Sequence, residues 1–178
     1  MTCDRTWGVF NVQLMEFIQR QAYSPQERAA VLDQIQIDDG HWSWFGKSLY
    51  YHTAEYVWFF LMAEGAPQGA CLLFHPKKSA LHSGKIFYIE YVAVAPWNRL
   101  NPMSRRKFAG VGSKLIRCAA TYAIHTLKLH PGFSLHALPK AIKYYEDVGM
   151  VAHPAFDKDG LPYFEMPETS LAKFIGAK

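Results

Sequence analysis

Between Arg105 and Ser113 the chain reads Arg-Arg-Lys-Phe-Ala-Gly-Val-Gly-Ser, a cluster of cations followed by two glycines at alternate positions. Glycine lets a backbone approach a ligand closely, and the amides of a helix's first turn have no intrahelical carbonyl partner. With a helix starting here, its dipole and those amides make an anion site beside Arg105, Arg106 and Lys107. A phosphate-bearing ligand is the chemistry to expect. The plainer alternative is a tight strand-to-helix turn with a solvated basic loop, and Gly-x-Gly alone does not choose. A second chemical residue is Glu90, the only carboxylic acid in the apolar stretch Ile86–Ala95. Burial of an unpaired charge is expensive, so such a carboxylate has either a cationic partner or a purpose. Alternation along a strand puts it on the face of Val92 and Val94.

Two named phosphate loops fail on this stretch. A Walker loop needs Gly-Lys-Ser/Thr, whereas Gly112 is followed by Ser113-Lys114, and Lys107 stands where the first glycine belongs. A dinucleotide fingerprint needs a third glycine where Leu115 stands. No His-x-x-x-His or Cys/His finger spacing occurs among the eight histidines, so no metal is expected. The three cysteines, Cys3, Cys71 and Cys118, are too widely spaced for a Cys-x-x-Cys pair and read as reduced thiols in a cytoplasmic setting.

The elements around these residues follow from periodicity. Half of the 178 residues are apolar and 19% are charged, enough for a sizeable core in one domain spanning 1–178 and too ordered a composition for disorder. The longest apolar run, Val57–Ala63, is far short of the ~20 residues a membrane-spanning helix requires, and no secretory leader is expected. Leu14, Phe17 and Ile18 predict a helix over Val12–Ala22. Ser24-Pro25-Gln26-Glu27 predicts the capped start of a second, running to about Gln36 with Ala29, Leu32 and Ile35 inward, and Asp38-Asp39-Gly40 as its stop. Tyr56–Ala63 and Gly69–His75 predict a hairpin, Pro76–Lys85 a loop, and Ile86–Ala95 a central strand. A helix over Gly112–Leu127, a strand over Phe133–Leu138, a short helix over Lys140–Val148 and two short strands near Met150–Phe156 and Tyr163–Met166 complete a mixed α/β domain.

Two segments together carry a resemblance. Val92-Ala93-Val94-Ala95-Pro96 is followed by Lys107-Phe108-Ala109-Gly110-Val111-Gly112, and downstream stands Ala141-Ile142-Lys143-Tyr144-Tyr145-Glu146-Asp147-Val148-Gly149-Met150. In this order and spacing they resemble the GNAT superfamily of N-acetyltransferases over roughly Tyr56–Met150. The family's Arg or Gln is Lys107 here, its usual Phe is Met150, and the loop Trp97–Arg106 is longer than usual, so Arg105 or Arg106 is a candidate for a phosphate contact.

The resemblance implies a mixed, mostly antiparallel sheet flanked by helices, with Ile86–Ala95 and Phe133–Leu138 splayed to form a CoA cleft. It implies acetyl-CoA as co-substrate, its pantetheine arm on backbone groups of Val92 and Val94. The pyrophosphate would lie on the amides of Ala109, Gly110, Val111, Gly112 and Ser113, beside Arg106 and Lys107. It also implies Glu90 as general base and Tyr145 as the acid for the departing thiolate, with Tyr144 a packing residue. The expected activity is acetyl transfer to a primary amine of a small molecule or protein. Retained acyl-CoA binding with weak or no turnover is the alternative. A nucleic-acid surface built on Arg99, Arg105, Arg106, Lys107, Lys114 and Arg117 is a third reading, weakened by a formal net charge of only +4. The chain is expected as a monomer or homodimer. The acceptor pocket is expected near His41-Trp42-Ser43-Trp44-Phe45 and Tyr50-Tyr51-His52, where the same aromatics could equally be core.

Overall fold

Cys3, Trp7, Leu14 and Ile18 fall on one helical stripe and are all buried, which folds the first segment into α1 (Thr2–Arg20). The helix starts well before the expected Val12 because Cys3 and Trp7 extend the same buried stripe. The computed structural model of the chain describes residues 2–176. Helix α2 (Pro25–Gln34) opens as the sequence predicts: Ser24 Oγ accepts the Glu27 N–H at 3.2 Å and the Glu27 carboxylate accepts the Ser24 N–H at 2.7 Å. No residue of α2 itself is fully buried, Ala29 being exposed and Leu32 half-buried. Ile35, just past its end, enters the cluster of Leu14 and Ile18 instead. Helix α3 (Trp44–Tyr50) is absent from the sequence reading. Its first amides are capped from a distance, since the Asp4 carboxylate accepts the Trp44 N–H at 2.6 Å and the Phe45 N–H at 2.8 Å.

Strands β1 (Tyr56–Ala63) and β2 (Ala66–Lys78) are joined by Glu64-Gly65, with φ of 51° and 71°. Two successive positive-φ residues make the turn whose twist matches the flanking strands. β2 runs on through Pro76 to Lys78, so the expected loop is shorter than the sequence suggests. β3 (Lys85–Val94) is the long strand. With β4 (Phe133–His136), β5 (Val151–Ala152) and β6 (Tyr163–Met166) the sheet has six strands in the order β1-β2-β3-β4-β6-β5. β3 and β4 are parallel, in register from Phe87↔Phe133 to Ile89↔Leu135; β4 is antiparallel to β6, and β6 to β5. A parallel pair needs a crossover, supplied by α4 (Val111–His125). The recorded β3–β4 ladder stops at Ile89, while β3 continues to Val94.

Helix α4 buries Leu115, Ile116, Ala119 and Ala123 and ends at His125, two residues short of the expected Leu127. α5 (Ile142–Asp147) ends at Gly149, whose φ of 87° suits glycine and whose added Cβ would lie 2.8 Å from Ser170 Oγ. Expected strand over Met150–Phe156 shrinks to Val151–Ala152 because Pro154 opens a 3-10 turn over Pro154–Phe156. The sequence reading also lacks α6 (Glu168–Gly176), which buries Leu171 and Phe174.

Packing divides the chain into two compact units: Met1–His52 with Phe60–Ala70 and Ala93–Gly112, and Thr53–Phe59 with Cys71–Val92 and Ser113–Lys178. In the first, Gln68 is 1% exposed and fully engaged. Its Oε1 accepts Trp97 Nε1–H at 2.8 Å and Asn98 Nδ2–H at 2.9 Å, and its Nε2 donates to Ala63 O at 3.0 Å and Ala66 O at 3.2 Å. Asn98 Oδ1 in turn accepts the Phe108 N–H at 2.9 Å, so both ends of the basic loop hang on one buried amide pair. In the second unit Glu165, also 1% exposed, accepts the Ala80 N–H at 2.8 Å, the Tyr163 hydroxyl at 3.0 Å and the Ser79 hydroxyl. A buried carboxylate is tolerated when donors of this kind surround it.

Replacing Gln68 by Leu strands the Trp97 and Asn98 donors in the core. It is expected to lower the unfolding free energy by about 2–4 kcal/mol, measured by chemical denaturation.

Candidate active site

Alternation along β3 puts Ile86, Tyr88, Glu90, Val92 and Val94 on one face and Phe87, Ile89, Tyr91 and Ala93 on the other. Glu90 is half-buried. Two residues back, burial pushes the Tyr88 hydroxyl well above the usual phenol range, and the Glu90 charge adds to the rise. The Tyr88 hydroxyl lies 2.6 Å from His136 Nδ1, and His136 Nε2 lies 2.9 Å from the Phe156 carbonyl oxygen. A carbonyl can only accept, so Nε2 carries the ring proton, Nδ1 accepts, and Tyr88 is the donor. His136 stands one step beyond the last recorded β3–β4 pair, level with Glu90 along the strands. Neither Tyr88 nor His136 was among the sequence candidates. Their signal was positional: a tyrosine at i−2 from the acid and a histidine at the end of the neighbouring strand.

At the end of β3 the backbone groups find partners within the first unit. Val94 O accepts Arg99 Nε–H at 2.6 Å, and the Ala95 N–H donates to Gln68 O at 2.9 Å. Arg99 also makes a two-pronged contact with Asp39, at 2.5 and 2.6 Å, and donates to Gln36 O at 2.9 Å. Both side chains are largely buried. Arg99 is therefore spent on holding the strand end, which removes it from any solvated basic surface. Asp39, expected only to stop α2, is its counter-ion.

The glycine turn begins at Phe108 and enters α4 at Val111. Gly110 has φ of 69°, a conformation that disfavours every residue with a Cβ. Val111 is buried and anchors the turn, while Arg106, Lys107, Ala109 and Gly110 are exposed. Lys107 pairs with Glu64, and its Nζ lies 5.9 Å from the Phe108 ring centroid. With both partners about half exposed, that ion pair contributes little stability. Val111, Gly112 and Ser113 form the first turn of α4. A Cβ added at Gly112 would lie 3.4 Å from Val94 Cγ2, an ordinary van der Waals contact.

In the second unit, Ser113 Oγ and the Tyr144 hydroxyl are 2.8 Å apart. Tyr144, read as packing only, thus has its polar end on the first turn of α4. Tyr145 is 6% exposed, with ring centroids 5.3 Å from Tyr144 and 6.4 Å from Phe164. Burial pushes its hydroxyl well above the ordinary phenol range.

The aromatic stretch after α2 is partly core and partly cleft. Trp7 and Trp44 are about 5% and 6% exposed and pack edge to face at 5.6 Å; Trp42 meets Trp44 at 5.9 Å. Beside them lies a cleft of about 630 Å³ lined in part by Asp4, Asn11, His41, Trp42 and Phe45. Lys47 Nζ already sits 5.1 Å from the Trp42 ring centroid, so one aromatic face there has a cation of the chain's own. Among the described residues no group of three or more His, Cys, Asp or Glu is placed to hold a metal ion, and no helix is long and apolar enough to cross a membrane.

No protein-family profile and no curated protein sequence matches the chain. Solved structures do. A chain of the KacTA–DNA complex aligns at a TM-score of 0.52 and 13% identity, over 72% of this chain and 82% of that one. A chimera of the spermidine N-acetyltransferase SpeG from Vibrio cholerae and hSSAT aligns at 0.49 and 19%, over 78% and 88%. A candidate GNAT-family acetyltransferase from Desulfovibrio desulfuricans aligns at 0.48 and 14%, over 90% and 92%. The fold is that of the chain in the KacTA–DNA complex. At 13% identity that likeness concerns the course of the backbone, and the chemistry has to be argued from the residues above. Of those, Glu90, Val92, Ser113 and Tyr145 belong to the second unit, and Val94, Arg106, Lys107 and the turn from Ala109 to Gly112 to the first.

Arg99→Leu leaves Asp39 without its two-pronged partner and frees the Val94 carbonyl. A loss of about 3–5 kcal/mol in unfolding free energy is expected, and Arg99→Lys should recover only part of it, because an ammonium cannot span both carboxylate oxygens.

Proposed function

We propose that the chain transfers an acetyl group from acetyl-CoA to a primary amine of a small molecule or protein by direct attack on the thioester. The observation that carries this reading is the early end of the β3–β4 ladder. Past Ile89↔Leu135, β3 runs on to Val94, and in this reading an extended ligand lies along that end of the strand as an added strand. In this reading the pantetheine arm pairs with Val92 and Val94. The amides from Ala109 to Ser113 hold the pyrophosphate, with Arg106 and Lys107 supplying positive charge. Acetyl-CoA brings the activated acyl carbon, and the rest is the work of the chain's own groups.

An ordinary alkylamine has a pKa of ~10.4, so freeing its lone pair at pH 7 costs roughly 4–5 kcal/mol. Glu90, half-buried on the Val92–Val94 face, takes that proton directly or through one water. A backbone N–H near Val94 polarises the thioester carbonyl as its oxygen gains charge. Tyr145 protonates the departing thiolate. The buried environment keeps its phenol protonated at all neutral pH, the form an acid requires, while weakening its drive to donate. That same burial favours a second reading, an acyl-CoA-binding module with weak or no turnover. Calorimetry with acetyl-CoA followed by thiol release on a panel of amines separates the two: tight binding with no release from any amine selects the module.

Gly112→Asp places a carboxylate where phosphate would sit, at a position with steric room for a Cβ, and should abolish acetyl-CoA affinity with little change in melting temperature. Unchanged affinity removes the turn from the site. Glu90→Gln should depress turnover most at low pH and spare acetyl-CoA affinity, and Tyr145→Phe should slow turnover without ending it. An unaltered pH profile in the first, or full activity in the second, counts against the role given.

A further inference from the structure

We propose that Tyr88 and His136 form a proton relay behind Glu90, carrying the proton taken from the acceptor ammonium off the carboxylate and onto the imidazole. The proposal rests on the acetyl-transfer reading and adds to it where the proton goes. Three features carry it: the 2.6 Å contact between the Tyr88 hydroxyl and Nδ1, the Nε2 contact with Phe156 O that fixes the tautomer, and the shared face of Tyr88 and Glu90. The ring is held with its basic nitrogen toward the Tyr88 hydroxyl, two residues before Glu90 on the same face of β3.

The step balances as follows. Glu90 accepts one proton from the ammonium, whose N–H bond breaks. The phenolic oxygen of Tyr88 accepts that proton from the carboxylic acid while its own proton passes to His136 Nδ1. The imidazolium that results still donates Nε2–H to Phe156 O, and Glu90 is again a carboxylate. The relay resets by releasing the proton to solvent, while the amine's second proton leaves with the thiol. The raised Tyr88 hydroxyl fits a group that passes protons without resting as phenolate. Other charged or titratable groups face the pair from each neighbouring element. Lys77 Nζ of β2 lies 5.9 Å from the Tyr88 ring centroid, Tyr163 of β6 lies 5.3 Å from the His136 ring, and Tyr91 lies on the opposite face of β3. Tyr163 is bonded at 3.0 Å to Glu165 and lies 6.3 Å from the His153 ring.

The test compares pH–rate profiles of the full chain with Tyr88→Phe and His136→Gln, alongside acetyl-CoA affinity. Each variant should lose about tenfold or more in kcat, with affinity unchanged. Its acid limb should move to lower pH, where Glu90 alone sets it, and the double variant should be no slower than the slower single one. Profiles that keep the wild-type limb overturn the relay and leave acetyl transfer standing. Failure of the wild type to bind acetyl-CoA overturns acetyl transfer and the relay together. Should a variant fold poorly, nitrogen-15 spectra of the wild type decide: a proton on His136 Nε2 supports the relay, and one on Nδ1 overturns it.

Discussion

A strand that outruns its neighbour must settle its own backbone. β3 shares a parallel ladder with β4 only from Phe87 to Ile89, then continues to Val94. Every peptide group beyond that point needs a partner, because a buried N–H or C=O left alone costs about as much as a lost hydrogen bond. At the far end the solution is local: Arg99 caps the Val94 carbonyl and Gln68 receives the Ala95 amide. The rest of the site follows from this geometry. The strand end is held by Arg99 and Gln68, and Gly110, at φ of 69°, turns the chain into α4.

The basic segment after β3 is built on the same economy of buried polar groups. Asn98 is sealed against Gln68 and reaches forward to the Phe108 amide, while Asn101 Oδ1 accepts the N–H groups of Met103 and Ser104. The loop is therefore ordered from both ends, and the cations of the loop and of α4 divide by role. Arg99 is internal, Arg117 lies over the Phe174 ring at 5.1 Å, and Arg106 and Lys107 remain on the exposed stretch before the glycine turn. Such a division favours a small anionic ligand at the turn over a broad polyanion surface, which needs its charges together.

Much of this fold was legible because periodicity and caps are local signals. The hairpin, the long strand, α4 and the Ser24–Glu27 box could be read directly, and the parallel neighbours around α4 follow from the strand–helix–strand order. What could not be read depends on contacts distant in sequence. α3 owes its start to Asp4, α1 gains its first turns through Trp7 and its bond to Pro67 O at 3.2 Å, and Asp39 finds Arg99 sixty residues on. The candidate site divides the same way. Glu90 stands out as an acid in an apolar run, and the glycine turn is visible as a pattern. Tyr88 and His136 become notable only when two strands are laid side by side.

The tryptophans carry an optical consequence. Trp7, Trp42, Trp44 and Trp97 all lie in the first unit, three of them in a chain of edge-to-face contacts, and Trp58 alone falls in the second. Intrinsic emission of this chain is thus overwhelmingly a record of one half of the molecule. A fluorescence melt would follow the unit around Gln68 and stay nearly blind to the strands that carry the buried Glu165, which circular dichroism would have to follow.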